Sequence, residues 1–257
     1  MRITHVQVPV PDPVASAAFY ADVLGVGVSP AAGCGAARAG GDANTADGVG
    51  GVGGTAGLCA RAVQLGATTL VLVRDPHADP LMQHLAITVP GDAGRRAHDW
   101  LRERVRVLAH AGSTLLEASA GWQAQSVYFR APDGTVLELI ARRRLAGDLG
   151  DTAFGPQALL AVSEVGLAVP DVAVAAARLE RAFGLRAFGG PPSSSFGAVG
   201  DDEGLLVLVR TGRTWFPTRD AVAGPEEVHV RISGTPAGSI DVNGLATVTG
   251  GSPTGQA

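Results

Sequence analysis

Lysine is absent from this chain of 257 residues, and arginine supplies all of its 20 basic side chains against 24 acidic ones. The formal charge of −4 and the pI near 5.8 leave no basic field for a nucleic-acid backbone. The run Arg142, Arg143 and Arg144 is too short to act as a basic tail. Cysteine is nearly absent as well: Cys34 and Cys59 make neither a disulfide framework nor a Cys-x-x-Cys metal knuckle. No apolar run approaches the roughly 18 residues of a membrane span. Arg2, Ile3 and Thr4 lead straight into a strand pattern, without the apolar core of a signal peptide. These absences argue against nucleic acid and membrane as partners, and point to a cytoplasmic protein acting on a small molecule. The length suffices for one large core or two of ordinary size.

What is present is repetition. Val6, Val8 and Val10 alternate as one face of a strand. Asp12 then stands where a helix cap is needed, Pro13 takes the first helical position, Phe19, Val23 and Leu24 follow at helical spacing, and Gly25 stops the helix. The same plan returns with Val165, Leu167 and Val169, a cap at Asp171, a buried face at Leu179 and Phe183, and a stop at Gly184. A matching strand follows each copy, Leu70-Val71-Leu72-Val73-Arg74 in the first and Leu206-Val207-Leu208-Val209-Arg210 in the second. The first copy carries an insertion at about 31–57, so rich in Gly, Ala, Asn and Asp that it buries too little apolar surface to order itself. It reads as a mobile loop, a solvated spacer before a lid.

A second unit lies between these copies: a strand at His84 to Val89, a helix from about Asp92 to Val105, and a hairpin from Ser126 to Ala141 turning at Pro132-Asp133-Gly134. A fourth, shortened unit opens with Glu227 to Ile232 and ends in Ile240 to Thr249. Four repeats of strand, helix and three strands thus account for the chain, and sheets with one face under a helix leave their concave faces to meet around a cleft.

Three side chains break the apolar strand pattern with metal-ligand chemistry. Alternation puts His5 on the face opposite Val6, Val8 and Val10, together with Gln7 and Pro9, and puts His84 opposite Leu85, Ile87 and Val89. Glu138 interrupts Val136-Leu137-Glu138-Leu139-Ile140, where an ionised carboxylate is costly unless paired or coordinated. Two imidazoles and one carboxylate form the facial set that holds a divalent ion and leaves positions open. Taken singly, each has an ordinary alternative: a hydrogen-bonded strand histidine for His5 or His84, an ion pair with Arg130 for Glu138.

The opening THVQVPVPDPVASAAFYADVLGV and the run VYFRAPDGTVLELIAR resemble the vicinal oxygen chelate superfamily, which includes glyoxalase I, extradiol dioxygenases, fosfomycin-resistance transferases and bleomycin-resistance proteins. The resemblance covers most of 1–142 and, more weakly, 162 to about 249. It implies an α+β fold of four βαβββ modules, the last shortened, forming two paired half-barrel domains, at 1–145 and 158–250. It also implies a divalent metal on His5, His84 and Glu138 in the N-terminal half. Glyoxalase I carries a fourth ligand where this chain has Val71, and the histidine that precedes the extradiol signature is missing from Ser119 to Gln125. In the second half Glu164 takes the position of His5 and Val228 that of His84, with His229 one place out of register.

The expectation is a metal-dependent enzyme, first a non-haem Fe(II) oxygenase, with Mn(II), Ni(II) or Zn(II) as alternatives. Its substrate would be an aromatic or dicarbonyl molecule with two neighbouring oxygens. A glyoxalase-like isomerase, lyase or thiol transferase comes second, and a metal-free protein that sequesters an antibiotic third. Gln7, Gln125 and Tyr128 are the candidates for proton handling, by position. Trp122, Tyr128 and Trp215 suit an aromatic-lined cleft or core packing, the bulky run from Gly212 to Pro217 is placed to close over it, and the assembly is a monomer or homodimer.

Overall fold

Apolar alternation on the strands decides which faces are buried, and the helix caps decide where each unit turns. In the computed structural model, which describes residues 1–31, 60–78 and 83–252, the first unit runs β1 (Arg2–Val10), α1 (Pro13–Leu24), β2 (Val28–Pro30), β3 (Ala60–Leu65) and β4 (Thr68–Arg74). The second comprises β5 (His84–Val89), α2 (Gly94–Arg102), β6 (Leu116–Glu117), β7 (Ala124–Arg130) and β8 (Val136–Arg142). The third comprises β9 (Ala161–Val169), α3 (Val172–Phe183), β10 (Phe196–Asp201) and β11 (Gly204–Arg210), and the fourth β12 (His229–Ser233), β13 (Gly238–Asp241) and β14 (Thr247–Gly251). The insertion expected at about 31–57 lies outside the described residues, apart from its first.

The caps act as their residue types demand. Asp12 accepts from the backbone N–H of Val14 and Ala15, Asp171 from that of Val174, and Gly25 and Gly184 end α1 and α3 in the left-handed region at φ 67° and 71°. α2 differs. Asp92 does not cap it, because its carboxylate is engaged by the Leu149 N–H at 2.8 Å and Arg96 Nη2 at 2.7 Å, so the helix starts two residues later and is shorter than its pattern suggests.

Two curled seven-stranded sheets result, in the orders β13-β14-β12-β1-β4-β3-β2 and β10-β11-β9-β5-β8-β7-β6. The first joins units one and four through the antiparallel pair β1 and β12, and the second joins units two and three through β5 and β9. The sheets therefore do not divide at the expected boundary between 1–145 and 158–250: each takes one unit from either side of it. The strand pattern specifies which face of a unit is buried, but all the seam strands are similarly apolar, so it does not specify which units join.

The convex faces and the helices share one core, in which Val6, Val8 and Val10 meet Tyr20 and Leu24, and Leu85 and Ile87 meet Val165 and Leu167. Thr68 ties the sheets together: its Oγ1 donates to the Ile3 carbonyl at 2.7 Å and accepts from the Val162 N–H at 3.0 Å. Beside it Gly66 turns the β3–β4 hairpin at φ 56°, where a Cβ would sit 2.0 Å from the Leu160 carbonyl oxygen. Gly66→Ala is expected to cost about 2 kcal/mol or more, from the left-handed backbone together with the clash, as measured by urea unfolding.

Candidate metal centre

β5, β8 and β9 lie side by side in the second sheet, and alternation points His84, Glu138 and Glu164 to its concave side. All three are buried, and one ligand atom from each lies within 4.8 Å of the others. His84 Nε2 is 3.6 Å from Glu138 Oε2 and 4.0 Å from Glu164 Oε2. Among the described residues this is the only such group of three histidine, cysteine or acidic side chains.

The supporting contacts aim the ligands. His84 Nδ1 lies 3.1 Å from the Val136 carbonyl, which assigns its N–H to that nitrogen and turns the Nε2 lone pair toward the two carboxylates. Burial lowers the His84 pKa to about 4, so the ring is neutral and ready to ligate. Glu138 accepts hydrogen bonds from the side chains of Ser126 and Tyr128, yet burial and the neighbouring charge of Glu164 push it up to about 8. Glu164 is raised by burial, and Arg142 holds the charged form by pairing with its Oε1, leaving Oε2 toward His84. Arg142 is itself fully buried, with its guanidinium 5.5 Å from the rings of Trp122 and Phe188.

These groups suit a divalent cation on their own chemistry. An ion about 2.1 Å from each donor needs donors roughly 3 to 3.4 Å apart, so small rotations of the two carboxylates complete the fit. Two carboxylates and a neutral imidazole in a buried place are a costly combination that a 2+ charge offsets.

The sequence expectations fare unevenly. His84, Glu138 and Tyr128 come together here. His5 does not: it lies on β1 in the other sheet, paired with Arg231 of β12 and Thr69 of β4. The reason is the seam, because β9 and not β1 borders β5, so the position that His5 holds in unit one is filled at this site by Glu164 of unit three. Gln7 stays with His5 on the first sheet. Gln125 faces away from the site, donating to Glu117 Oε1 at 2.6 Å and lying against Gly94 of α2. Arg130 pairs with Asp220 and not with Glu138. Ser126, Glu164 and Arg142 were missed as site residues; for Glu164 the repeat itself held the signal, since its match to His5 was visible.

The register of the fourth unit is also corrected. Val230 sits opposite Val6 as Leu85 sits opposite Val165, which makes His229, not Val228, the counterpart of His84. Thr249 then stands where Glu138 does, opposite Arg231 as Glu138 is opposite Ala86. The first sheet thus keeps two imidazoles, with threonine in place of the carboxylate. Val207, matched to Val71 by the parallel pairing of the last strands, is the residue of that register position beside these three side chains.

A cavity of about 340 Å³ opens over the three ligands, with walls that include Trp122, Tyr128, Ile140, Phe196, Val207 and Val209. The run between β11 and β12 brings Arg213, Trp215 and Phe216 onto it, as its bulk suggested. Trp215 is almost wholly buried, its ring 5.5 Å from that of His84. Gly166 makes the room, since a Cβ there would come within 2.5 Å of the indole. No helix among the described residues is long and apolar enough to cross a membrane.

A scan against family models finds no match, and a search of curated proteins finds none. Solved structures do match. A candidate dioxygenase from Bacillus subtilis subsp. subtilis str. 168 superposes with a TM-score of 0.54 at 16% identity, covering 99% of this chain and 86% of that one. Glyoxalase I from Zea mays superposes with a TM-score of 0.51 at 13% identity, covering 97% and 92%. At these identities the likeness shows a shared fold.

The titrations at the centre give a pH dependence. Between the ordinary carboxylate pKa and about 8 the folded protein keeps a proton on Glu138 that the unfolded chain releases, so stability falls as pH rises through that window. His84, held neutral by folding, acts the other way, but only between about 4 and its ordinary value of 6.5. Chelator-treated protein is therefore expected to lose a few degrees of melting temperature from about pH 6.5 to 8, and Glu138→Gln to flatten that slope in thermal unfolding.

Proposed function

On a chain with the vicinal oxygen chelate fold, we propose that His84, Glu138 and Glu164 hold one divalent metal ion, and that the protein is an enzyme acting on a small molecule bound through two neighbouring oxygens. The observation that carries this is the convergence of three buried ligand atoms within 4.8 Å, one of them an imidazole nitrogen already oriented and neutral. The bound ion would supply Lewis-acid polarisation of the substrate oxygens and offset both carboxylate charges.

The chain's own groups have separable tasks. Arg142 fixes Glu164 by one oxygen and leaves the other for ligation. Tyr128, kept protonated by burial and by the charges of Glu138 and Glu164, holds its Oη proton toward Glu138 at the cavity wall, where it can be handed to a substrate oxygen. Trp215 and Phe216 exclude water from above.

One imidazole and two carboxylates make a harder, more oxygen-rich set than the two-histidine triad on which Fe(II) oxygen chemistry was expected. It favours Mn(II) or Fe(II) over Zn(II) and Ni(II), and with it redox-neutral chemistry, as an isomerase, lyase or transferase, ranks ahead of oxygenation. An Fe(II)-dependent dioxygenase is the second reading, favoured by the Bacillus subtilis candidate dioxygenase whose fold runs along nearly the whole chain. Simple sequestration of a hydrophobic molecule gains nothing from two adjoining buried carboxylates.

Elemental analysis after anaerobic reconstitution with Mn(II) or Fe(II) is expected to give one ion per chain. His84→Ala, Glu138→Gln and Glu164→Gln should each weaken binding of the ion by more than about 100-fold, while Tyr128→Phe, which takes from the ion's ligands one supporting hydrogen bond to Glu138, should weaken it by about 10- to 100-fold. His5→Ala should bind as the parent does. If His5→Ala loses the ion and Glu164→Gln keeps it, the assignment is wrong. Oxygen uptake during turnover would promote the dioxygenase reading over the redox-neutral one.

A further inference from the structure

Among the described residues, the cavity wall carries one cation that the metal reading leaves unused. Arg213 lies in the run between β11 and β12 and is pinned through its backbone: its N–H donates to the Arg210 carbonyl at 3.0 Å, and its own carbonyl accepts from the Ala223 N–H at 2.8 Å. Its guanidinium lies 4.9 Å from the centre of the Phe196 ring, on the cavity wall. Four arginines on and just after β7 and β8 have acids: Arg130 has Asp220, Arg142 has Glu164, Arg143 has Glu117 and Arg144 has Asp202. Arg213 has no carboxylate partner and no side-chain hydrogen bond among the described residues. The desolvation it undergoes is met only by the Phe196 ring.

The acids on the same wall are already committed. Glu117 is held by Gln125 at 2.6 Å and Arg143 at 2.7 Å, and Glu138 and Glu164 belong to the metal centre. The cavity therefore offers a metal-ligand cluster, a sleeve of aromatic and aliphatic side chains, and one uncompensated guanidinium, in a volume that suits a ring with a short substituent. A half-buried arginine with unspent donors is a receptor for a planar anion, because its fork matches a carboxylate.

We propose that the substrate is an aromatic carboxylate, whose neighbouring oxygens go to the metal centre and whose carboxylate is received by Arg213. This rests on the metal-centre reading for the oxygen pair, but its charge selectivity is tested separately.

The probes are 3,4-dihydroxybenzoate and its neutral amide, 3,4-dihydroxybenzamide, titrated anaerobically into the Mn(II)-loaded full chain by calorimetry, with Trp122 and Trp215 fluorescence as a second readout. The acid is expected to bind about tenfold or more tighter than the amide, the scale of a charge-assisted hydrogen bond. Arg213→Gln should bring the acid down to the level of the amide and leave the amide unchanged, and Arg213→Lys should restore part of the preference. Equal affinities in the parent, a preference that survives Arg213→Gln, or no binding of either probe overturns the proposal. Repeating the titration on chelator-treated protein keeps the two readings apart. If removing the metal leaves both affinities as they were, the metal-centre reading fails, while the difference between acid and amide still decides the role of Arg213.

Discussion

The seam between β5 and β9 is the constraint on which the candidate site depends. It sets Ala86 opposite Glu164 and brings His84, at the start of one strand, within 4.0 Å of a carboxylate from the next unit. On its other side β5 runs parallel to β8, which carries Glu138. Three neighbouring strands therefore deliver three candidate ligands without any loop having to find its place, and strands position side chains more closely than loops do. The backbone hydrogen bonds of the sheet offset the cost of holding acidic groups together in a buried place.

Most of the architecture was legible because its determinants are local. Asp12, Pro13 and Gly25 mark the ends of α1, and Asp171 and Gly184 those of α3, by chemistry that needs no tertiary partner. The alternation of Val6, Val8 and Val10 gives the buried face directly. α2 shows where local reasoning stops: Asp92 is a good cap by type, but a long-range partner at Leu149 takes its carboxylate.

The site was only half legible, for the same reason. Glu138 and His84 stood out as polar interruptions within unit two, a property of one segment. The identity of the third ligand depends on which unit closes the sheet, and that choice is made between strands with nearly interchangeable apolar faces. Gln125 shows the cost of judging by position: it is one residue from Ser126 on the same strand, and alternation sends it to the opposite side, against Gly94. Arg142 was read only as part of an arginine run too short for a basic tail, although the alternation that buries Glu138 and Ile140 buries it too.

The two sheets are unequal heirs of one design. In the first, threonine at 249 replaces the acid, and among the described residues His5 and His229 face each other's strands with no buried carboxylate to neutralise. That cradle has shed an electrostatic burden and is free to vary in sequence so long as its convex side still packs. The other cradle must hold two buried acids side by side, which burial and their mutual repulsion resist. Selection would then act on the two sheets with different stringency: drift is tolerated around Thr249, whereas any change that loosens the grip on Glu164 strikes at the candidate metal centre and at folding together.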